Sequence, residues 1–371
     1  MIIRSSIKLL LYKSATPMRT HKGLLPGTKK IVPFVAMLCI VTNLFAQQKP
    51  HYTQYILNNY ILNPALSGIE NYTDVKISHR HQWVGINDAP VTTYLSIQGP
   101  LGKKDYKTNA TTLFEMDGEN PIGKGYWDNY GASAPHHGIG LQIVNDKAGP
   151  FNSFSIMGTY AYHIGINDKT NLSAGIGVGM NKYSIDPTKL FWGPDNPVDP
   201  SILNTTDDIG TAKLDMSAGL WLYSDRYFVG ASAAQLTGQK IDFSDGALDT
   251  LEQGKKVPHF FMTAGYRFML NEDINVLPSV MVKSVSPVPT QVDLNVKAMF
   301  RNAYWLGASY RGKYGFAAMA GLNVLNRFTV SYSYDYSTTA IHTVSNGTHE
   351  VIVGFILGNK YSDDTCPKNV W

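Results

Sequence analysis

In residues 327–337, RFTVSYSYDYS, the apolar and aromatic side chains Phe328, Val330, Tyr332, Tyr334 and Tyr336 take every second place, with Thr329, Ser331, Ser333 and Asp335 between them. Successive side chains of a strand point to opposite faces, so this spacing predicts a strand with one apolar and one polar face. Residues 171–181 repeat the pattern, with Leu172, Ala174, Ile176, Val178 and Met180 against Ser173, Gly175, Gly177, Gly179 and Asn181. So do residues 292–301, where Val292, Leu294, Val296, Ala298 and Phe300 alternate with Asp293, Asn295, Lys297, Met299 and Arg301. Strands of similar quality fall at 154–164, 214–223, 260–268 and 304–311. Weaker ones, from β-propensity and bounding turn residues, fall at 72–81, 92–101, 138–146, 227–236, 274–285, 314–324 and 348–358.

The total is fourteen, and an even count suits a closed antiparallel barrel. A soluble sandwich or a lipocalin-like barrel alternates in the same way with its faces reversed, so alternation alone does not choose. Three further features favour the membrane: a secretory N-terminus, many strands at hairpin spacing without a covering helix, and aromatic residues near strand ends. Tyr160, Tyr162, Tyr266, Phe268, Tyr304, Tyr334 and Tyr336 are of this last kind and suit the headgroup level. The expected fold is all-β, a transmembrane antiparallel β-barrel of about 14 strands in a bacterial outer membrane, spanning 72–358. On this reading Tyr332 sits awkwardly near mid-membrane. Leu294→Arg should disrupt membrane folding, whereas Asn295→Arg should be tolerated in a wet lumen.

Connections give a separate check, because such barrels have short periplasmic turns and longer outer loops. Short links at Asn167-Asp168, Ser224-Asp225, Asn271-Glu272, Asn302 and Asn326 alternate with longer ones at 182–210, 237–256 and 338–347. The link 102–137 is long where a short one is expected. It reads either as a miscounted strand or as a periplasmic insertion, and the insertion either as a partner-binding segment or as a loop without structure.

The first 46 residues carry seven Lys or Arg and no acid, then IVPFVAMLCIVTNLFA before Gln47. A charged flank, a short apolar core and a small residue predict a secretory signal over 1–46, cleaved after Ala46, with Met18 as an alternative start. A membrane anchor is the competing reading, opposed by the short core broken at Pro33; Leu38 before Cys39 does not fit a lipoprotein junction. Residues 47–71 would form a periplasmic or lumenal segment, and 359–371 a tail. Taking the seven cations from the 32 basic residues leaves 25 against 28 acidic ones, near −3. Nucleic-acid binding then loses its electrostatic motive. The mature chain keeps only Cys366, so no internal disulfide staples it. No apolar run of eighteen or more follows the N-terminus, which argues against a helical membrane protein.

Catalytic chemistry is not apparent. GENPIGKG, 118–125, resembles a phosphate loop, but Gly125 stands where a hydroxyl residue would hold magnesium and no strand-to-helix context follows. His79 and His81 share a strand face and His136 and His137 adjoin in a loop, without further metal ligands at workable spacing. Asp195, Asp199, Asp207 and Asp208 in one outer loop read as calcium ligands or, more simply, as solvated turn residues. There is no GxSxG or HExxH, so an outer-membrane lipid enzyme has no visible site. Arg267, Lys283, Asp293, Lys297, Arg301, Arg311, Asp335 and Glu350 fall on or near the expected inner face, to pair with one another or to tune a pore.

Several segments together resemble one family: QYILNNYILNPALSG (54–68), HRHQWVG (79–85) with Ala89-Pro90, QGPL (98–101), VNDKAGP (144–150), PHFFMTAGYRF (258–268), PSVMVK (278–283), QVDLN (291–295), WLGASY (305–310) and SYSYDY (331–336). Over essentially the whole mature chain this is similar to the PorP/SprF family of outer-membrane proteins of the type IX secretion system of Bacteroidota. The resemblance implies a barrel without enzymatic activity or cofactor, integral to the outer membrane after Sec-type export and embedded in its lipid. It implies work with the secretion and gliding apparatus: binding, exporting or surface-attaching large secreted proteins with C-terminal sorting domains, and contacting periplasmic, peptidoglycan-associated components. The motif positions Asn63, Pro64, Arg80, Trp83, Gly85, Pro90, Asp146 and Pro150 are the candidates for family-specific structure or partner contact. The long 102–137 segment and the tail with Cys366, Pro367 and Trp371 depart from the family pattern, leaving Phe355 or the tail as the assembly signal. A general diffusion porin is the alternative function.

Overall fold

A computed structural model of the chain describes residues 50–103, 131–186, 189, 209–238, 256–301, 303–324 and 327–358. The signal segment, the phosphate-loop-like 118–125, the Asp195 to Asp208 group and the tail 359–371 lie outside the described residues. Among the described residues fifteen strands follow one another: β1 (Thr73–His81), β2 (Val91–Leu101), β3 (His136–Ala148), β4 (Phe151–Asn167), β5 (Thr170–Ile185), β6 (Ile209–Ser224), β7 (Tyr227–Ala234), β8 (His259–Tyr266), β9 (Phe268–Met269), β10 (Ile274–Val285), β11 (Val288–Phe300), β12 (Tyr304–Arg311), β13 (Gly315–Val324), β14 (Phe328–Ser337) and β15 (Thr348–Leu357). Apart from β8 and β9, consecutive strands pair antiparallel, and β1 pairs with both β2 and β15, so the sheet closes.

β8 and β9 are one stave. Both pair with β10 in a single register, Ser279↔Gly265 on one side of the break and Val276↔Phe268 on the other. Pro278 falls opposite the break and has no N–H for the ladder. The barrel therefore has fourteen staves, as the alternation predicts. β2 bonds directly to β3 along Val91↔Lys147 to Leu101↔His137, so these two staves are neighbours in the wall.

The faces follow the sequence period. Leu294, Val296, Ile176, Val178, Val330 and Tyr332 are exposed on the outside, whereas Asp293, Asn295, Lys297, Ser331 and Ser333 are buried within. Tyr332 is accommodated because its hydroxyl lies 2.6 Å from His349 Nδ1 on the neighbouring strand. Toward the opposite end, Tyr160 pairs likewise with His137 at 2.6 Å. Rings whose polar tips find partners while their bodies face outward are what a lipid boundary favours. Arg301 departs from expectation: its φ of 50° ends β11, and its side chain is half exposed and paired with Asp273 at 3.0 Å. A left-handed residue at a strand end breaks the alternation, so this cation does not enter the lumen. His136 and His137 likewise open β3 instead of lying in a loop.

The larger correction concerns the lumen, expected to be an open wet space and found packed by the chain's own N-terminal residues. Residues 50–72 run through it as three short 3-10 turns at Gln54–Leu57, Asn59–Ile61 and Pro64–Leu66. Tyr52, Tyr55, Ile56, Tyr60, Ile61, Leu62, Leu66 and Ile69 form one core cluster with wall residues Tyr94, Trp221, Phe228, Leu277, Met281, Trp305 and Ile352. A segment this short touches staves all around a closed sheet only from inside.

Candidate functional site

Turns this short leave carbonyl groups without helical partners, and buried ones must be bonded elsewhere. The inward wall supplies the donors. Gln142 Nε2 donates to Tyr60 O at 2.7 Å, Ser232 Oγ to Leu62 O at 2.7 Å, Ser173 Oγ to Ala65 O at 2.6 Å, and His163 Nε2 meets Ser67 O at 2.8 Å. His136 stacks on His163 with ring centroids 4.5 Å apart and reaches Gly68 O at 3.2 Å. Asn295 Nδ2 donates to the Tyr55 hydroxyl at 2.6 Å. Arginine at 295 would meet this packed segment and not the open water expected of the lumen.

Two motif candidates lie at the centre of this plug. Asn63 caps the last turn by accepting from Ala65 N at 2.9 Å, while its amide donates to Leu220 O at 3.0 Å and Ala231 O at 3.3 Å. Pro64 takes the first turn position, where its missing N–H costs nothing. The wall opposite is bare of side chains: a Cβ on Gly219 would collide with the Asn63 amide, and one on Gly175 with the Pro64–Ala65 backbone. The inward glycines of β5 and β6 are thus a bed for the NPAL turn.

At the end with the longer connections, the plug's first residues meet a buried charge cluster. Thr53 N donates to Glu350 Oε2 at 2.7 Å, and its hydroxyl donates to Asp335 Oδ2 at 2.5 Å. Arg80 lies 3.2 Å from Asp335 and 3.7 Å from Glu350, and donates to Gln82 Oε1 at 2.7 Å. Arg311 reaches the same Asp335 oxygen at 3.0 Å and stands 3.5 Å from Asp293. Burial first, then the cations Lys283, Arg311 and Arg80, hold the His51 imidazole well below its ordinary value, so it is neutral near pH 7.

Above this cluster a cavity of about 360 Å³ opens at the mouth. Arg80, Trp83, Pro90 and Asp146 all line it. Trp83 holds a φ of 51° and donates its N–H to Thr348 Oγ1 at 3.1 Å; Val84 then donates its N–H to Gly347 O at 2.9 Å and accepts from Asn346 N at 2.7 Å, both in the β14–β15 connection. Gly85, at φ 100°, allows that turn and faces Asn346. Pro90 O accepts from Gln82 N at 2.9 Å, and Asp146 accepts from the Thr92 hydroxyl at 2.5 Å. Pro150 stands apart, bonding Asp186 N through its carbonyl at 2.8 Å. Spacing along the sequence put Gly175 on the inner face but did not single out Thr53, Gly219 or His163. Their roles depend on contacts across the lumen, and the wall glycines were the only local trace. Among the described residues no group of three or more His, Cys, Asp or Glu side chains gathers as metal ligands.

The profile of the type IX secretion system membrane protein PorP/SprF family matches residues 44–355. The chain belongs to the PorP/SprF family. No curated protein matches it in sequence. Among solved structures it is similar to the CymD monoaromatic hydrocarbon channel at 10% identity and TM-score 0.43, covering 81% of this chain and 91% of that one. The Ralstonia pickettii toluene transporter TbuX matches at 10% identity and TM-score 0.43, covering 81% and 93%. A mutant of the Rh. blastica porin matches at 13% identity and TM-score 0.31, covering 77% and 99%. This PorP/SprF member is a type IX secretion system membrane protein, a closed barrel with an apolar exterior that resides in the outer membrane.

Proposed function

We propose that this protein is a docking barrel of the secretion and gliding apparatus. Secreted proteins with C-terminal sorting domains are held at the long-loop mouth, and peptidoglycan-associated periplasmic components meet the short-turn end. The chain arrives by Sec-type export with residues 1–46 removed. The observation that carries this reading is the filled lumen. Residues 50–69 are bonded to staves on all sides, and the mouth leads to a floor made by Pro50 and His51. Such a barrel offers surfaces to partners and no passage to small solutes, which favours docking over a diffusion porin. The eight motif residues then divide into plug seat (Asn63, Pro64), mouth (Arg80, Trp83, Pro90, Asp146) and rim (Gly85, Pro150).

Affinity purification of the tagged protein from its own membranes, after cross-linking, tests this. A secreted protein with a C-terminal sorting domain and a periplasmic component should co-purify, and deleting the gene should release that protein from the surface. Isolation of the barrel alone, with surface retention unchanged on deletion, would contradict the proposal.

A further inference from the structure

We infer that the outer side of the wall, at the mouth end of β3, β4 and β5, binds the phosphorylated headgroup of an outer-leaflet lipid through Lys147 and Lys182. The inference goes beyond the docking reading and does not depend on it. It rests on how the charges of the wall are divided between its two faces.

The carboxylates of the described strands, Asp74, Asp146, Asp215, Asp293, Asp335 and Glu350, all take inward positions. The lysines and arginines of these strands do the same, with two exceptions. Lys147 continues the outward row Ile139, Leu141, Ile143, Asn145 of β3, and Lys182 continues the outward row Ile176, Val178, Met180 of β5. Both side chains are exposed, and among the described residues neither meets a carboxylate or another hydrogen-bonding partner. The described strands thus present to the membrane two cations without counter-ions and no anion.

The pairing register fixes their spacing. Lys147 stands opposite Asn152 of β4, and Asn152 opposite Ser184 of β5, two residues beyond Lys182. Two strand spacings across and two residues along place the lysines on the order of 12 Å apart. β3 ends at Ala148 and β4 begins at Phe151, so Lys147 lies at the rim, at the depth of headgroups and not of hydrocarbon. Lysine stems run along apolar surface while their ammonium groups reach that level, and an ammonium is a natural donor to phosphate. Phe154, Ile156, Val178 and Met180 are exposed beside and below the pair, a surface for acyl chains that free phosphate does not use. Toward β1, His79 bonds Thr93 at 2.9 Å and Thr93 stands opposite Asn145, which continues the rim with neutral polar groups. A headgroup whose phosphate is offset by its own ammonium would leave the lysines uncompensated.

Native mass spectrometry of the full mature protein, delipidated in detergent and titrated with bis-phosphorylated lipid A, is the test; phosphatase-treated lipid A and inorganic phosphate are the comparisons. At least one bis-phosphorylated lipid should stay bound to each barrel. Lys147→Gln combined with Lys182→Gln should raise the half-saturating lipid concentration tenfold or more. Lys147→Arg combined with Lys182→Arg keeps both charges and should retain binding, as should Lys313→Gln, which alters an exposed lysine in the mouth-end turn between β12 and β13. Heat-modifiable mobility shows that each variant is a folded barrel. Equal retention of the phosphatase-treated lipid, displacement of the lipid by equimolar inorganic phosphate, a glutamine double variant that binds as the parent does, or an equal loss in Lys313→Gln would overturn the inference. Co-purification of secreted partners is read separately, so the docking reading stands or falls on its own test.

Discussion

Leu294 and Asn295 are neighbours in β11 that meet different surroundings, one exposed on the barrel exterior and the other buried against Tyr55. Leu294→Arg places a cation on the lipid face and should weaken folding by about 2–4 kcal/mol, read as urea-dependent refolding into vesicles. Asn295→Arg should let the barrel assemble, seen as unchanged heat-modifiable mobility, while displacing the plug beside it. Equal behaviour of the two would reject the assigned faces. Within the lumen, Arg80→Leu removes a cation that Asp335 shares with Arg311 and the one paired with Glu350, and should cost about 3–5 kcal/mol, because Glu350 stays buried without its cation. The same refolding titration measures it; a change below about 1 kcal/mol would show that the cluster is solvated in the folded protein. The charge cluster was partly legible: alternation put Asp335, Arg311 and Glu350 on the inner face before any contact was known. That they converge on Thr53 was not, since they come from staves and a turn 255 to 297 residues apart in pairings such as Arg80–Asp335 and Thr53–Glu350.

At the scale of elements, strands were readable because period two is enforced by two unlike surroundings along every stave, and the fourteen segments recovered differ from the observed bounds mainly at their ends. Residues 50–72 had no such signature. Their turns of three or four residues are too short for a helical period, and apolar and polar side chains are both buried because the wall answers each in turn. QYILNNYILNPALSG was recognisable as a motif, yet its fold depends on glycines more than a hundred residues away. Gly219→Leu should therefore unseat the plug without unmaking the wall. In a Cys366→Ser background, Ser67→Cys is buried and should resist maleimide, then become labelled once Gly219→Leu is added. Rapid labelling without the second substitution would mean that the segment does not stay seated.

For the whole molecule, the surrounding lipid and the filled lumen explain the composition together. An exterior belt of Leu, Val, Ile and Tyr encloses a wall rich in Ser, Thr, Asn, Gln and Gly, and the aromatic plug supplies the apolar centre that a small-bore barrel otherwise lacks. The membrane fold was legible in the alternation and the spacing of its turns; the occupied interior was not, because a wet channel and a polar wall bonded to a plug call for the same residue types. Planar-bilayer recording discriminates between them. The intact mature protein should show no large steady conductance, and deletion of residues 50–69 should open one. A large steady current from the intact chain would contradict a barrel closed by its own N-terminal segment.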